Sequence, residues 1–328
     1  MQCASLIKEI ARGKEGARSL SAEQARALWA AVLAGEVSDL ELGAILVAFR
    51  IKGESVDELL GFLDATHVSL DLVVAPAGSP PPVVIPSYNG ARHLPNLVPL
   101  LAMLLAERGI PVLVHGITAD PLASARQHGR RVTTSEVLQA IGIDPTLGDV
   151  STAMRDATGR RLPVFVPIER LAPSLERVIA LRRILGVRSS AHTVVKLLQP
   201  FSAPALRLVS YTHPEYQRLL HELFSATREP ALIGRGTEGE PVANARRAQR
   251  IDAFYEGSMS VAVESEDVAV GESAVLPATR EAAVTAVWTQ AVLAGELPVP
   301  RPILDQINAI ERMLDRMQTS PQAARAVA

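Results

Sequence analysis

The 328-residue chain has a single cysteine, Cys3, which excludes both an intramolecular disulfide and a thiolate zinc site. Long apolar runs are missing as well. The run LVPLLAMLLA at 97–106 falls far short of the ~20 residues a membrane-spanning helix needs, and Pro99 interrupts it. The opening MQCASLIKEIARGKEG lacks the extended apolar core of a secretory signal and reads as an amphipathic helix. A cytoplasmic protein with no membrane partner is therefore expected. The 7 histidines have no metal-ligand spacing, so no metal site is expected from them, and the chain has no internal repeat. Lysine is almost absent from the middle of the chain, where Lys196 stands alone between residues 120 and 250.

Hydrophobic residues make up 48% of the sequence and the mean hydropathy is +0.18, enough to bury a substantial core. The net charge of −2 conceals an uneven distribution. Residues 1–119 carry 9 basic against 12 acidic side chains, residues 120–250 carry 19 against 12, and residues 251–328 carry 5 against 11. The middle is thus +7, and its cations are arginines, which suit bidentate contact with phosphate. A solvated basic face balanced by acidic neighbours is the alternative.

Residues 1–75 read as helical. Ser21, Ser38 and Ser55 sit at N-cap positions, Gln24 completes a capping box, and apolar residues recur at helical spacing between them. After the proline-rich connector APAGSPPP at 75–82 the pattern becomes strand, helix, strand: VVI, NLVPLLAMLLAERG and PVLVHG at 111–116, a parallel β-α-β unit. Further strands are expected at 162–168, 206–212, 230–236 and near 259–270. Further helices are expected at 135–142, over SLERVIALRRILG and PEYQRLLHELFSAT, and in the last fifty residues. The turn IPSYNGARHLPN at 85–96, between the first strand and its helix, is where α/β proteins commonly hold phosphate, but it has one glycine, Gly90.

LAGEVSDLELGAILVAFRIKGES at 33–55, TSEVLQAIG at 134–142 and LRRILGVRSSAHTVVKLLQPFSAP at 181–204 resemble the anthranilate phosphoribosyltransferase family, which has the glycosyltransferase family 3 fold shared with pyrimidine nucleoside phosphorylases. The resemblance covers almost the whole chain. It implies a nucleoside phosphorylase/phosphoribosyltransferase-type α/β fold, with a small N-terminal all-helical domain and a larger α/β domain around a mainly parallel mixed central sheet. The helical domain would span 1–75, completed by helices within about 170–195. The α/β domain would span 76–328, discontinuous at about 76–168 and 196–328. A homodimer formed through the helical part is also implied.

Enzymes of the family hold phosphoribosyl pyrophosphate on a GTGGDG loop followed by an Asn-x-Ser-Thr helix start. The corresponding residues here are Pro86, Ser87, Tyr88, Asn89, Gly90 and Ala91, then Asn96, Leu97, Val98 and Pro99. Bulk at Tyr88 and missing N–H groups at Pro86 and Pro99 make this a poor pyrophosphate cradle. The family's Lys-His-Gly-Asn becomes Val114, His115, Gly116 and Ile117, without the lysine. Its magnesium-carrying acidic pair falls on Pro241 and Val242, with Glu238 and Glu240 close by. Ser87, Tyr88, Asn89, Gly90, Asn96, His115 and Gly116 are thus a degenerate donor site, with no catalytic residue assigned. Arg182 stands where the family's arginine meets the aromatic acid, and His192 replaces the asparagine of the loop that follows.

HGITADPLASARQHGRRVTTSE at 115–136 and RGTEGEPVANARR at 235–247 are most similar to the YbiB-like paralogues, in which the fold serves as a nucleic-acid-binding dimer. The resemblance implies DNA or RNA as a largely sequence-independent partner, a second copy of the chain as the other, and no cofactor. The candidate phosphate-binding residues are Arg126, His128, Arg130, Arg131, Arg182, Arg246, Arg247 and Arg250. The competing reading is a phosphoribosyl- or glycosyltransferase with an altered donor or acceptor, which would require magnesium.

Overall fold

The computed structural model describes residues 3–13, 15–120, 130–144, 154, 159, 161–266 and 275–319. In chain order the helices are α1 (Cys3–Ile10), α2 (Ala22–Ala34), α3 (Asp39–Lys52), α4 (Val56–His67), α5 (Val98–Glu107) and α6 (Thr134–Ile141). They continue with the short α7 (Ile168–Leu171), α8 (Pro173–Ala180), α9 (Arg182–Leu185) and α10 (Ala191–Val194), then α11 (Pro214–Thr227), α12 (Ala282–Leu293) and α13 (Arg301–Thr319). The strands are β1 (Val83–Ser87), β2 (Val112–Gly116), β3 (Val164–Pro167), β4 (Leu206–Tyr211), β5 (Ala231–Arg235), β6 (Ile251–Tyr255) and β7 (Ser258–Val263). Two compact units result: residues 1–71 with 168–200, and residues 72–167 with 201–328.

The first unit is helical. Ser21, Ser38 and Ser55 each form a complete capping box, with Gln24, Glu41 and Glu58 returning a side-chain bond to the cap. Trp29 stacks on Phe62 at 4.5 Å, Phe49 meets Phe62 edge-on at 5.1 Å, and the Trp29 indole donates to Thr66 Oγ1 at 3.0 Å. Glu58 is buried and satisfied, accepting from Leu20 N, Ser55 N and Lys52 Nζ. Arg177 on α8 donates to Leu33 O at 2.8 Å, tying the later segment to the end of α2. The single helix expected over 174–186 is two pieces, because Leu181 switches to i→i+3 bonding and Gly186 ends α9 at φ +72°.

The second unit is built on a seven-stranded sheet of order β3-β2-β1-β4-β5-β6-β7, parallel from β3 to β5 and antiparallel through β6 and β7. Alternation sorts its residues. Val83, Ile85, Val112, Val114, Leu206, Leu208, Ile251 and Ala253 share an apolar cluster with α5 and α13. β6 falls upstream of the strands expected near 259–270. Its apolar run is broken by Asp252, which is 1% exposed and ion-paired with Arg250. Glu256 and Gly257, at φ +51° and +80°, turn it into β7. Among the described residues no helix is long and apolar enough to cross a membrane.

Candidate functional site

β1, β4 and β5 end at the same edge of the sheet, where β6 begins, and open α/β sheets place ligands beyond that edge. The segment after β1 directs a run of backbone amides there, and they are already bonded. Asn89 N and Gly90 N both donate to Glu240 Oε1 at 2.7 Å. Arg92 N, His93 N and Leu94 N donate to the Glu238 carboxylate at 2.7, 3.0 and 3.2 Å. The two carboxylates come from the turn after β5, which Asn89 Nδ2 and Ser210 Oγ hold further by donating to Gly239 O. Gly90, at φ +66°, has Val132 O 2.9 Å from where a Cβ would lie, so the chain turns here under close packing.

Two more features close the loop. The Arg131 guanidinium donates to Asn89 O and Gly90 O, opposite the amides held by Glu240, and Arg131 N donates to Asp120. Asn96 donates to Thr134 Oγ1 at 2.9 Å and accepts from Val98 N, while Ser87 Oγ also reaches Thr134. Pro99 fills the first turn of α5, so that helix N-terminus offers one donor fewer to an anion. Pro86 and Ser87 belong to β1, with Pro86 in register with His115 and Ser87 with Gly116, and are not part of the turn.

His115 is completely buried. Tyr88 Oη shares a 2.6 Å hydrogen bond with its Nδ1, Nε2 has no partner among the described residues, and loss of solvation pushes the imidazole down to about 3. It is a neutral interior group. Gly116 leaves no room for a side chain, since a Cβ there would lie 2.0 Å from Ser87 O.

The basic candidates separate into three sets. Arg126 and His128 lie outside the described residues. Arg130 pairs with Glu136, which raises its pKa, and Arg131 is engaged by the loop carbonyls, so neither presents an unpartnered guanidinium. Arg246 and Arg247 are exposed, and Arg250 is exposed while bonded to Asp252 at 2.7 Å. Beside them at the same strand ends lie exposed Arg92, His93, His213 and Arg235, none of them among the candidate phosphate-binding residues. Their signal was positional: each lies at the C-terminal end of a parallel strand or in the loop that follows.

Arg182 belongs to the helical unit, at the start of α9 and half-buried. With Arg188 it faces His192, which desolvation first and these two guanidiniums next push down to about 3. The +7 middle of the chain is divided between the two units. Residues 168–200, with 6 basic and 2 acidic side chains, fall in the helical unit, and 120–167 with 201–250, with 13 and 10, fall in the α/β unit.

A helical bundle and a mostly parallel sheet, with a phosphate-type turn after the first strand of the sheet, define a phosphoribosyltransferase-type fold. Residues 4–67 match the glycosyl transferase family helical bundle domain. Over 309 residues the chain is 44% identical to the uncharacterized protein YbiB of Escherichia coli (strain K12), covering 94% of this chain and 92% of that one. It is 27% identical over 325 residues to the anthranilate phosphoribosyltransferase of Symbiobacterium thermophilum, covering 96% and 89%. The crystal structure of anthranilate phosphoribosyltransferase from Thermus thermophilus superposes with a TM-score of 0.69 over 94% of this chain and 87% of that one, at 21% identity. The chain belongs to the same family as YbiB, and its fold is that of the anthranilate phosphoribosyltransferases.

Magnesium and diphosphate, which the likeness to anthranilate phosphoribosyltransferases implies, do not fit the residues present. Pro241 and Val242 supply no carboxylate, Glu238 and Glu240 are held by five amides, and no group of metal-ligating side chains gathers among the described residues.

Proposed function

We propose that this protein is a nucleic-acid-binding homodimer on a phosphoribosyltransferase fold whose donor site no longer accepts phosphoribosyl pyrophosphate. The observation that carries this reading is the exchange at the sheet edge. The amides of the loop after β1 are occupied from within by Glu238 and Glu240, while Arg92, Arg235, Arg246 and Arg247 are left exposed at the rim. Cations on an outer rim suit a polyanion laid across the surface, whose phosphates need charge and no enclosed pocket. With no exposed aromatic stacking platform beside these arginines among the described residues, binding would be largely independent of sequence.

The dimer reading rests on α3. Leu40, Gly43, Ala44, Val47 and Ile51 recur at helical spacing on one face, and Leu40 and Ile51 are 86% and 65% exposed. Small residues at the middle of such a stripe let a second copy approach closely about a twofold axis.

Fluorescence anisotropy with short single- and double-stranded DNA at low salt tests the function. Binding by the wild type, lost when Arg235, Arg246 and Arg247 are together changed to Glu, supports it. No binding by the wild type at low salt sinks it, as would magnesium-dependent binding of phosphoribosyl pyrophosphate.

A further inference from the structure

We propose that residues 89–94 form an oxyanion-binding nest whose resident ligand is the chain's own 236–240 turn, with Glu238 and Glu240 competing in cis against any external phosphate. Five backbone amides converge on two carboxylates about 150 residues away in sequence, at 2.7–3.2 Å. Consecutive amides of a turn form an anion-binding concavity whatever their side chains, so the loss of the glycines did not remove the site. The turn that delivers the carboxylates is shaped for the task. Glu238 adopts φ +53°, an unfavourable conformation for a side-chain-bearing residue, and Gly239 follows at φ +88° with Asn89 Nδ2 only 2.1 Å from where a Cβ would lie.

The occupation is incomplete in one respect that points to the same chemistry. Glu240 is 2% exposed, yet its second oxygen, Oε2, has no hydrogen-bond partner among the described residues. A buried carboxylate is thus retained with half of its acceptors unused, which packing alone would disfavour. Arg131 donates to the carbonyls of Asn89 and Gly90, the same two residues whose amides Glu240 accepts. An intramolecular ligand acts at high effective concentration, so an external anion of similar intrinsic affinity cannot displace it. The ligand class that the vacated nest would take is a phosphate or diphosphate group, held by amides with Arg92 at its edge.

Full-length protein carrying Glu238→Ala and Glu240→Ala is titrated calorimetrically with sodium diphosphate without magnesium. The comparison is a Glu215→Ala/Glu222→Ala protein, which loses the same charge from exposed positions on α11. Binding at least tenfold tighter than in the wild type and in that comparison is expected. A folded double variant that binds no tighter than the Glu215/Glu222 protein overturns the proposal. Amide hydrogen exchange gives a second arm that does not depend on the double variant folding. In the wild type the amides of Gly90, Arg92, His93 and Leu94 are expected to be protected, and Glu238→Gln to speed the last three at least tenfold while sparing Gly90. Exchange of these amides at free-peptide rates in the wild type overturns it. Neither readout involves DNA, so the nest and the nucleic-acid reading can fail separately.

Discussion

At the scale of single residues the closed loop depends most on Glu240. It accepts two amides from a buried position, so its removal leaves two donors without partners in a dry environment. Hydrogen bonds to a charged acceptor contribute roughly 1.5–3 kcal/mol and each orphaned donor costs a similar amount, so Glu240→Ala is expected to lower the unfolding free energy by about 3 kcal/mol in urea titration. Glu238, half-buried, is expected to cost less. His115 gives a pH signature. Its folded pKa of about 3 lies below the ordinary histidine value near 6.5. The unfolded chain therefore takes up a proton as the pH falls below about 6.5 while the folded chain does not. Stability that is complete above that pH declines by ~1.4 kcal/mol per unit toward the folded pKa. Urea midpoints at pH 7 and pH 5 should correspond to a stability loss about 2 kcal/mol larger in the wild type than in His115→Gln. An equal dependence in the two proteins would mean that His115 is not held neutral.

Among the elements, α3 carries a second kind of test. Its outward stripe of Leu40, Gly43, Ala44, Val47 and Ile51 is apolar along the helix, and an Asp at Val47 would place a charge within it. Val47→Asp is expected to shift the mass measured by sedimentation from two chains to one without altering the helical signal, because Val47 is 37% exposed and lies outside the Trp29–Phe49–Phe62 core. The elements themselves were legible in the sequence where local chemistry dictates them. Three N-cap serines marked the starts of α2, α3 and α4, and strand and helix alternation marked the parallel sheet. β6 was hidden because Asp252 breaks its apolar pattern, and its satisfaction by Arg250 is visible only in three dimensions. The candidate site was half legible. A glycine-poor loop announced a failing phosphate cradle, but that Glu238 and Glu240 fill it could not be read from residues about 150 positions apart. Arg131 illustrates the converse. Its charge suggested a phosphate contact, whereas its guanidinium supports the carbonyls of the same loop.

For the whole molecule, a net charge of −2 does not by itself attract a polyanion, so the proposed nucleic-acid binding depends on where the charges lie. Loop bonding removes Arg131, Glu238 and Glu240 from the outer surface chemistry and Glu136 pairs with Arg130, while Arg92, Arg235, Arg246 and Arg247 stay exposed at the strand ends of the α/β unit. The most direct test is the salt dependence of binding to double-stranded DNA, compared between the wild type and Arg235→Glu/Arg246→Glu/Arg247→Glu. Each phosphate contact contributes roughly 0.9 to the slope of log K against log salt. The expected result is a steep slope in the wild type, reduced by about 2–3 in the variant together with a loss of affinity. The same slope and the same affinity in both proteins would contradict the claim that phosphate recognition has moved from the loop after β1 to the arginine rim.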